Sequence, residues 1–593
     1  MLFSGAGSGG RTRTVSLPLD FESSTSANSI IPASLTDFCM IPYFKTKCNP
    51  FFSKNKKYFC SEIAFETILL GVYTSENALD FSRSLLYNNP ARRNVILFCR
   101  INERIRRGIL YPGSCPFLLL FSVSSESEDC MKIKLSDHFS YRSLMRFVLP
   151  SIIMMTVSSV YGIVDGFFVS NFIGDRQFTA LNFIMPVVMI LGGLGFIVGT
   201  GGSALVAKIL GEGNRKKANQ VFSMLIYVTV FGGIVLSVLG ILFIRPITLL
   251  IGAEEHFLED CVVYARVLLI GNTAFMLQNA FQSFLVAAER PKLGLIVSVS
   301  SGVTNMFLDF LFIYLFKWGL VGAAAATVIG QVVGGIIPFG FFLSENNGSP
   351  LHLGGFYFNF KELRQTITNG ISEFVSNISA SVVGMIYNAQ LLRYAGEAGV
   401  AAYGVLMYVN FIFLGFFFGY SVGASPVISF HYGAGNKREV RGLLKKSLTI
   451  TGVAAVAMTL TAVVFARPLS LIFVSYNKDL LDMTVRAMTL YATSFLFFGF
   501  NVFASSFFTA LNNGLLSAVI SLCRTFVLQC GAVLLLPMLL DVDGIWLAVT
   551  VAESLTLILS AVLVLKSGKK YGYRKKDAFL SPEFQRENGL GNG

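Results

Sequence analysis

Residues 302–331 read G-V-T-N-M-F-L-D-F-L-F-I-Y-L-F-K-W-G-L-V-G-A-A-A-A-T-V-I-G-Q. Two apolar segments meet at a tight turn over Phe316–Gly319, which predicts a pair of membrane-crossing helices. The first carries Asn305 and Asp309, the second Thr327 and Gln331. Each pair is spaced i, i+4 and therefore shares one helix face. An ionised Asp in hydrocarbon is costly, so Asp309 is expected to face a bundle interior or a water-filled path. The plainer alternative is a protonated or hydrogen-bonded structural group.

The rest of the chain fits that beginning. Of 593 residues, 53% are hydrophobic and 14% charged, a balance typical of a polytopic helical membrane protein. The net charge of +13 is concentrated in loops, so it points to membrane orientation rather than to nucleic acid. Four His stand at no metal-ligand spacing with Cys, and there is no G-x-x-x-x-G-K-[ST] phosphate loop. No nucleophile–base constellation stands out. The expectation is a transporter rather than an enzyme, with no cofactor and no metal beyond a possible Na+.

From Phe147 onward twelve apolar segments reach spanning length: 147–173, 180–208, 218–244, 259–288, 292–315, 319–343, 365–393, 400–431, 441–465, 481–510, 514–539 and 543–565. The last six copy the first six. Gly211-Glu212-Gly213-Asn214-Arg215-Lys216 matches Gly433-Ala434-Gly435-Asn436-Lys437-Arg438 at a shift of 222 residues. The same shift maps Gly174 to Gly396, Gly201 to Gly423, Arg245-Pro246 to Arg467-Pro468, Asn279 to Asn501 and Gln331 to Glu553. Six is even, so the copies enter from the same side and form a parallel repeat. The predicted fold is all-α, with two six-helix lobes at 131–343 and 365–566, a cytoplasmic linker at 344–364 and a basic tail at 567–593. Lys and Arg crowd the loops that hold Arg215, Lys216, Lys217, Arg290, Lys292, Lys437, Arg438, Lys445 and Lys446, which places both termini in the cytoplasm of a plasma-membrane protein.

Residues 1–130 read differently. They hold six of the nine Cys and no sustained helical or strand period. Met131 then opens M-K-I-K-L-S-D-H-F-S-Y-R-S-L-M-R, a basic lead into the first apolar segment. Met131 is expected to be the true start, with the preceding stretch non-native or disordered.

Depth singles out a polar cluster. Asp165 and Asp309 lie seventeen or eighteen residues above the basic end of their helices, about 25–27 Å up, and Thr327 lies about 12 Å below the opposite end. Two carboxylates, an amide and a hydroxyl at one level suit a proton relay or an oxygen-ligated cation. The repeat counterparts of Asp165, Asn305, Asp309 and Thr327 are Tyr387, Val527, Gly531 and Val549, so the second half carries none of the four. It has Glu373, Arg524 and Glu553 instead. Arg524 could pair with Glu373 or Glu553. In the fourth segment Gln278, Asn279 and Gln282 could line a cavity or bond across helices.

These motifs together resemble the multidrug and toxic compound extrusion (MATE) family. The carriers are V-D-G-F-F-V-S-N-F-I-G (164–174), G-G-S-A-L-V-A-K-I-L-G-E-G-N (201–214), N-M-F-L-D-F-L-F-I (305–313), G-L-V-G-A-A-A-A-T-V-I-G-Q (319–331) and G-A-S-P-V-I-S-F-H-Y-G-A-G-N (423–436). The resemblance implies two lobes around a central cavity and export of organic cations or drugs by alternating access, driven by H+ or Na+. DinF-like members carry a cation site whose pattern matches Asp165, Asn305, Asp309 and Thr327. At the places where the NorM-like type uses Glu and Asp in the second lobe, this chain has Ala380 and Asn501. The expected substrate cavity includes Gln278, Asn279, Gln282, Gln331, Glu373 and Arg524, and its ligands are small cationic or amphipathic molecules. The protein is expected to work as a monomer in the lipid bilayer. A lipid-linked saccharide flippase of the same superfamily is the competing reading; it would need a strongly cationic cavity, and Arg524 is the only deep Arg.

Overall fold

A computed structural model describes residues 133–573 apart from 254, 345–346 and 475–476. The second of the chain's two units begins at Met131 and is described by itself. The expectations for residues 1–130 and for most of the basic tail lie outside the described residues.

Among the described residues all regular structure is helical. Nine helices are individually long and apolar enough to cross a membrane, and two further pairs do so across bends of 56° and 45°. The 74-residue helix Phe360–Gly433 is two spans broken at Gly396 (φ 65, ψ −159), which brings the spans to twelve. In order they are Tyr141–Phe172; Asp175–Leu191 continued to Gly211; Arg215–Leu250; Glu255–Ile270 with Asn272–Ala287; Pro291–Asp309 with Phe310–Leu315; Gly319–Leu343; the two parts of Phe360–Gly433; Lys437–Val464; Lys478–Ala492 with Phe495–Ala510; Gly514–Leu522 continued to Leu535; and Pro537–Lys570. Three of them contain a turn of π-helix, at Ile197–Gly202, Phe310–Leu315 and Cys523–Leu528.

The repeated G-x-G-N motif ends one helix and starts the next. Gly213 (φ 80) takes the left-handed conformation that closes a helix, with its N–H bonded to Leu210 O at 3.0 Å and that of Asn214 to Ile209 O at 3.3 Å. Asn214 Oδ1 then accepts from Lys217 N at 3.0 Å and caps the third span. Gly435 (φ 70) and Asn436 repeat both steps, with Asn436 Oδ1 accepting from Glu439 N at 3.0 Å.

The register holds at 222 residues for these caps and for the turns at Gly319 and Asp541, both with positive φ. It slips once. The left-handed residue after the fourth span is Glu289 and its structural partner after the tenth is Asn512, 223 residues on. The second half therefore has one more residue there, and near the start of the eleventh span the partners shift by one. The counterparts of Asn305 and Asp309 are Val527 and Gly531 at a shift of 222 and Leu528 and Ala532 at 223, apolar residues in both cases.

The halves meet at the basic end. Gly211 packs on the backbone of Phe430, and its repeat mate Gly433 packs on the backbone of Lys208; a methyl group at either would collide with a carbonyl. Gly201 against Thr366 and Gly370, and Gly423 against Val148, are a second symmetric pair, since Val148 and Gly370 are themselves 222 apart. Small residues let helix backbones approach this closely in membranes. Phe147, Val148 and Ile152 of the first span join a core with Tyr420, Ala424, Val427 and Phe503 of the second half.

The segment ahead of the first span bridges the same end. Leu135 N–H donates to Glu289 Oε1 at 2.7 Å in the first half, and Phe139 N–H to Glu439 Oε1 at 3.1 Å in the second. His138 Nδ1 lies 2.7 Å from Glu439 Oε2. Burial raises the Glu289 carboxyl above its ordinary pKa, partly offset by the Leu135 N–H. The linker is fastened to the first half: Arg215 donates to Ser349 O and Pro350 O at 2.8 and 3.1 Å, and Gly354 N–H to Ser223 Oγ at 2.8 Å.

Candidate functional site: a carboxylate cluster and a hydroxyl-lined cavity

Asp165 and Asp309 come together. Asp309 ends the regular part of the fifth span, one residue before its π-helical turn, and is fully buried. A π turn alters which groups a helix presents and is frequent at functional positions. The two carboxyl groups lie against each other. Tyr161, one turn before Asp165, and Tyr264 of the fourth span are within electrostatic reach. Asn305 is one turn below Asp309, and its Nδ2 lies 3.5 Å from Thr327 Oγ1, which itself donates to Ala323 O at 3.1 Å. The four residues singled out from the sequence thus share one site.

The hydrogen-bond inventory of that site is unbalanced. Both Asp309 oxygens, Asp165 Oδ1 and Asn305 Oδ1 are buried and have no hydrogen-bond partner. Buried polar atoms are normally paired, and four acceptors without a donor around one point need protons or a cation to be tolerable. In the second half the same level is packed with aromatic and aliphatic side chains, and the buried Tyr387 hydroxyl there has no hydrogen-bond partner. Tyr387 stacks on Tyr403 with ring centroids 5.2 Å apart, within a cluster that includes Val549 and Tyr491.

Glu373 and Arg524 belong to a different place. Both line a cavity between the halves with Thr200, Ser203, Ser283, Ser372, Ser376, Ser421, Ser425, Ser505, Ser506, Thr509 and Ser521. The seventh span begins at Phe360, capped by Asn359 Oδ1 on Lys361 N at 2.9 Å, rather than at 365. Glu373 is therefore thirteen residues into its helix. Arg524, in the π turn of the eleventh span, pairs with Glu553 (Nη1–Oε1 3.4 Å) and lies 4.9 Å from the centroid of the Phe498 ring. Asn501 Nδ2 donates to Glu553 Oε2 at 2.7 Å, and Ser560 Oγ donates to Asn501 Oδ1 at 3.0 Å. Of the two partners open to Arg524 in the sequence, the hydrogen bond goes to Glu553.

The amides of the fourth span are spent elsewhere. Gln278 Nε2 donates to Ser301 Oγ at 3.2 Å, which passes the bond to Gly330 O at 2.7 Å, and Asn279 Nδ2 donates to Phe275 O at 2.8 Å. Gln282 and Gln331 are half-buried and stand outside the cavity lining. The hydroxyls that sequence reading passed over had a signal: Ser372/Ser376, Ser421/Ser425 and Ser505/Thr509 are each spaced i, i+4 on one helix face.

Comparison with known proteins adds the following. A family model, MatE, matches residues 150–311 and 374–532. The multidrug export protein MepA of Staphylococcus aureus (strain MSSA476) is 23% identical over 432 residues, covering 72% of this chain and 93% of the relative. MepA of Staphylococcus saprophyticus is 26% identical over 373 residues, 60% of this chain and 80% of the relative. Among solved structures, an outward-facing conformation of a multidrug resistance MATE family transporter of the MOP superfamily superposes with TM-score 0.69 at 21% identity, over 73% of this chain and 97% of the other. A MOP superfamily transporter from Pyrococcus furiosus does so with TM-score 0.68 at 21% identity and the same coverage.

Proposed function

The chain belongs to the MatE family, the multidrug and toxic compound extrusion transporters, and from that premise we propose that it expels small cationic or amphipathic molecules in exchange for H+ or Na+ entering the cell. The observation that carries the coupling is the set of unpartnered carboxyl and amide oxygens on Asp165, Asn305 and Asp309 beside Thr327; their repeat positions in the second half carry no carboxylate. Two adjacent carboxyls favour uptake of at least one cation, because two like charges in a dry site repel. Asp165 and Asp309 hold the charge, Asn305 and Thr327 complete the oxygen set, and Tyr161 and Tyr264 shield it from lipid.

The cavity between the halves holds the cargo, with Glu373 supplying the charge that attracts a cation. We take 131–343 and 365–566 as the moving lobes. The contacts at Gly211 and Gly433 support a state shut at the basic end; that end is cytoplasmic by its Lys and Arg excess, which makes this an outward-facing arrangement in a cell membrane. Binding of the coupling ion shifts the balance only through unequal affinity for the two states.

Expression in a bacterial host stripped of its own pumps tests the reading. Tolerance to a panel of cationic dyes and drugs should rise, and dye efflux should stop when the H+ and Na+ gradients are both collapsed. Unchanged tolerance across the panel, or efflux that survives without either gradient, contradicts it.

A further inference from the structure

The linker between the halves is built for contact with lipid rather than water. The third span, Arg215–Leu250, presents Asn219, Ser223 and Tyr227 at steps of four, a single polar stripe on one helix face. All three bond to the linker backbone. His352 N–H donates to Asn219 Oδ1 at 3.2 Å, Gly354 N–H to Ser223 Oγ at 2.8 Å, and Tyr227 OH donates to Gly354 O at 3.0 Å. Leu353 N–H donates to Phe342 O at 2.7 Å. Water would satisfy such groups without help, whereas irregular backbone beside lipid must find its partners in protein. The level agrees. The charge-free stretch 218–244 of the third span rises about 40 Å, the thickness of a bilayer with its headgroups. Ser223 lies about 12 Å above Arg215, which puts Gly354 near the edge of the hydrocarbon. From there the chain turns back to the basic end, where Glu362 pairs with Lys217 at 3.0 Å.

The side chains divide to match. Leu351 and Leu353 are buried in a core of the first half, while Phe356, Phe358 and Phe360 are 68%, 54% and 69% exposed. Phe356 rests on the Tyr227 ring, with centroids 6.1 Å apart, and stacks beside Phe358 at 6.4 Å. Exposed Lys361 and Arg364 follow in the first turn of the seventh span, and Arg364 shares a helix face with Phe360 at i, i+4. We propose that residues 351–364 seat an anionic phospholipid of the leaflet at the basic end, its acyl chains against Phe356, Phe358 and Phe360 and its headgroup at Lys361 and Arg364. By the orientation proposed above this is the inner leaflet, whose negative surface attracts basic groups beside a span. A row of phenyl rings at the hydrocarbon edge that ends in two cations complements a lipid with a negative headgroup. A second copy of the chain docked there by two-fold symmetry would bring the same cations together. The strap is fastened to the third span and continues into the seventh, so a lipid held there touches both halves. The proposal does not depend on what the central cavity carries.

The test uses the full chain with Phe356→Trp, one copy per lipid nanodisc, so that no second copy can cover the row. The native Trp318 and Trp546 stand at the start of the sixth span and in the core of the second half, and subtracting the emission of the unaltered chain removes their signal. The quenchers are phosphatidylglycerol and phosphatidylcholine, each brominated high on its acyl chains and added in small amounts to plain phosphatidylcholine, and iodide in the water. Brominated phosphatidylglycerol should reach half-quenching at a mole fraction roughly fivefold lower than brominated phosphatidylcholine for each basic residue engaged. Iodide should have little effect. Adding Lys361→Gln/Arg364→Gln should erase the difference between the two lipids and leave quenching by phosphatidylcholine as it was. If Phe356→Trp does not fold, Phe358→Trp takes its place. Quenching by iodide and by neither lipid puts the strap in water and overturns the proposal. Equal quenching by the two lipids in the chain that keeps Lys361 and Arg364 overturns it as well, and so does insensitivity to all three quenchers, which would mean that protein covers the row.

Discussion

Replacing Asp309 by Asn is expected to cut ion-driven export by roughly 5- to 150-fold, the range of a typical coupling free energy of about 1–3 kcal/mol, while the protein stays in the membrane in normal amount. The side chain keeps its shape and loses its charge. Both of its oxygens lack a donor, and its neighbour across the site is another carboxyl. The native group is therefore a local liability for folding, and the amide should leave thermal stability equal or higher. That split is what distinguishes a coupling residue from a scaffold residue, whose loss would lower stability first. The measurement is gradient-driven dye uptake into inside-out vesicles, alongside thermal unfolding of the same variant in detergent. Normal uptake by Asp309→Asn at the usual gradient would remove this carboxyl from the mechanism.

Gly433→Val should have a comparably large effect by another route. The position is flush against the Lys208 backbone, as Gly211 is against that of Phe430. Backbone cannot yield as a flexible side chain can, so the added bulk must push the lobes apart at the basic end. Overpacking of this kind costs about 1–3 kcal/mol. It falls only on the state in which that end is shut, so the balance between states should move roughly 5- to 150-fold toward the other one. Spin labels at the exposed Lys216 and Arg438 should report a longer, broader distance in Gly433→Val than in the native chain. Export should fall while Asp309 and its neighbours are untouched. An unchanged distance distribution would mean that this glycine contact does not close the transporter.

Much of this was legible in the sequence because membranes impose few solutions. Apolar length located the spans, and the 222-residue shift located the repeat. Paired carboxylates in hydrocarbon have little reason to exist without a task, so Asp165 and Asp309 stood out as a candidate pair before any geometry was known. The parts that were not legible depend on contacts between helices or on turns of unusual pitch. A π turn adds a residue without changing composition, so those at Phe310–Leu315 and Cys523–Leu528 leave no mark in the text. The extra residue before Asn512 is equally silent, because apolar helices tolerate a shift of one and their periodicity is weak. Whether Arg524 would meet Glu373 or Glu553 was undetermined, since all three lie on different spans and spacing along the chain says nothing about which face each presents. The serines were passed over one by one, as small residues that usually serve helix packing; only their convergence on one cavity separates them from that role.

The central claim is that the coupling ion is held in the first lobe alone. Tyr387 occupies in the second lobe the place that Asp165 holds in the first, and it is stacked on Tyr403 among aromatic and aliphatic side chains. Drug–ion exchange in proteoliposomes, measured for Asp165→Asn and for Tyr387→Phe side by side, puts that claim to the most direct test. Asp165→Asn should bind drug but lose the dependence of exchange on the ion gradient, and Tyr387→Phe should keep that dependence. Retained ion dependence in Asp165→Asn together with its loss in Tyr387→Phe would place the ion in the other lobe.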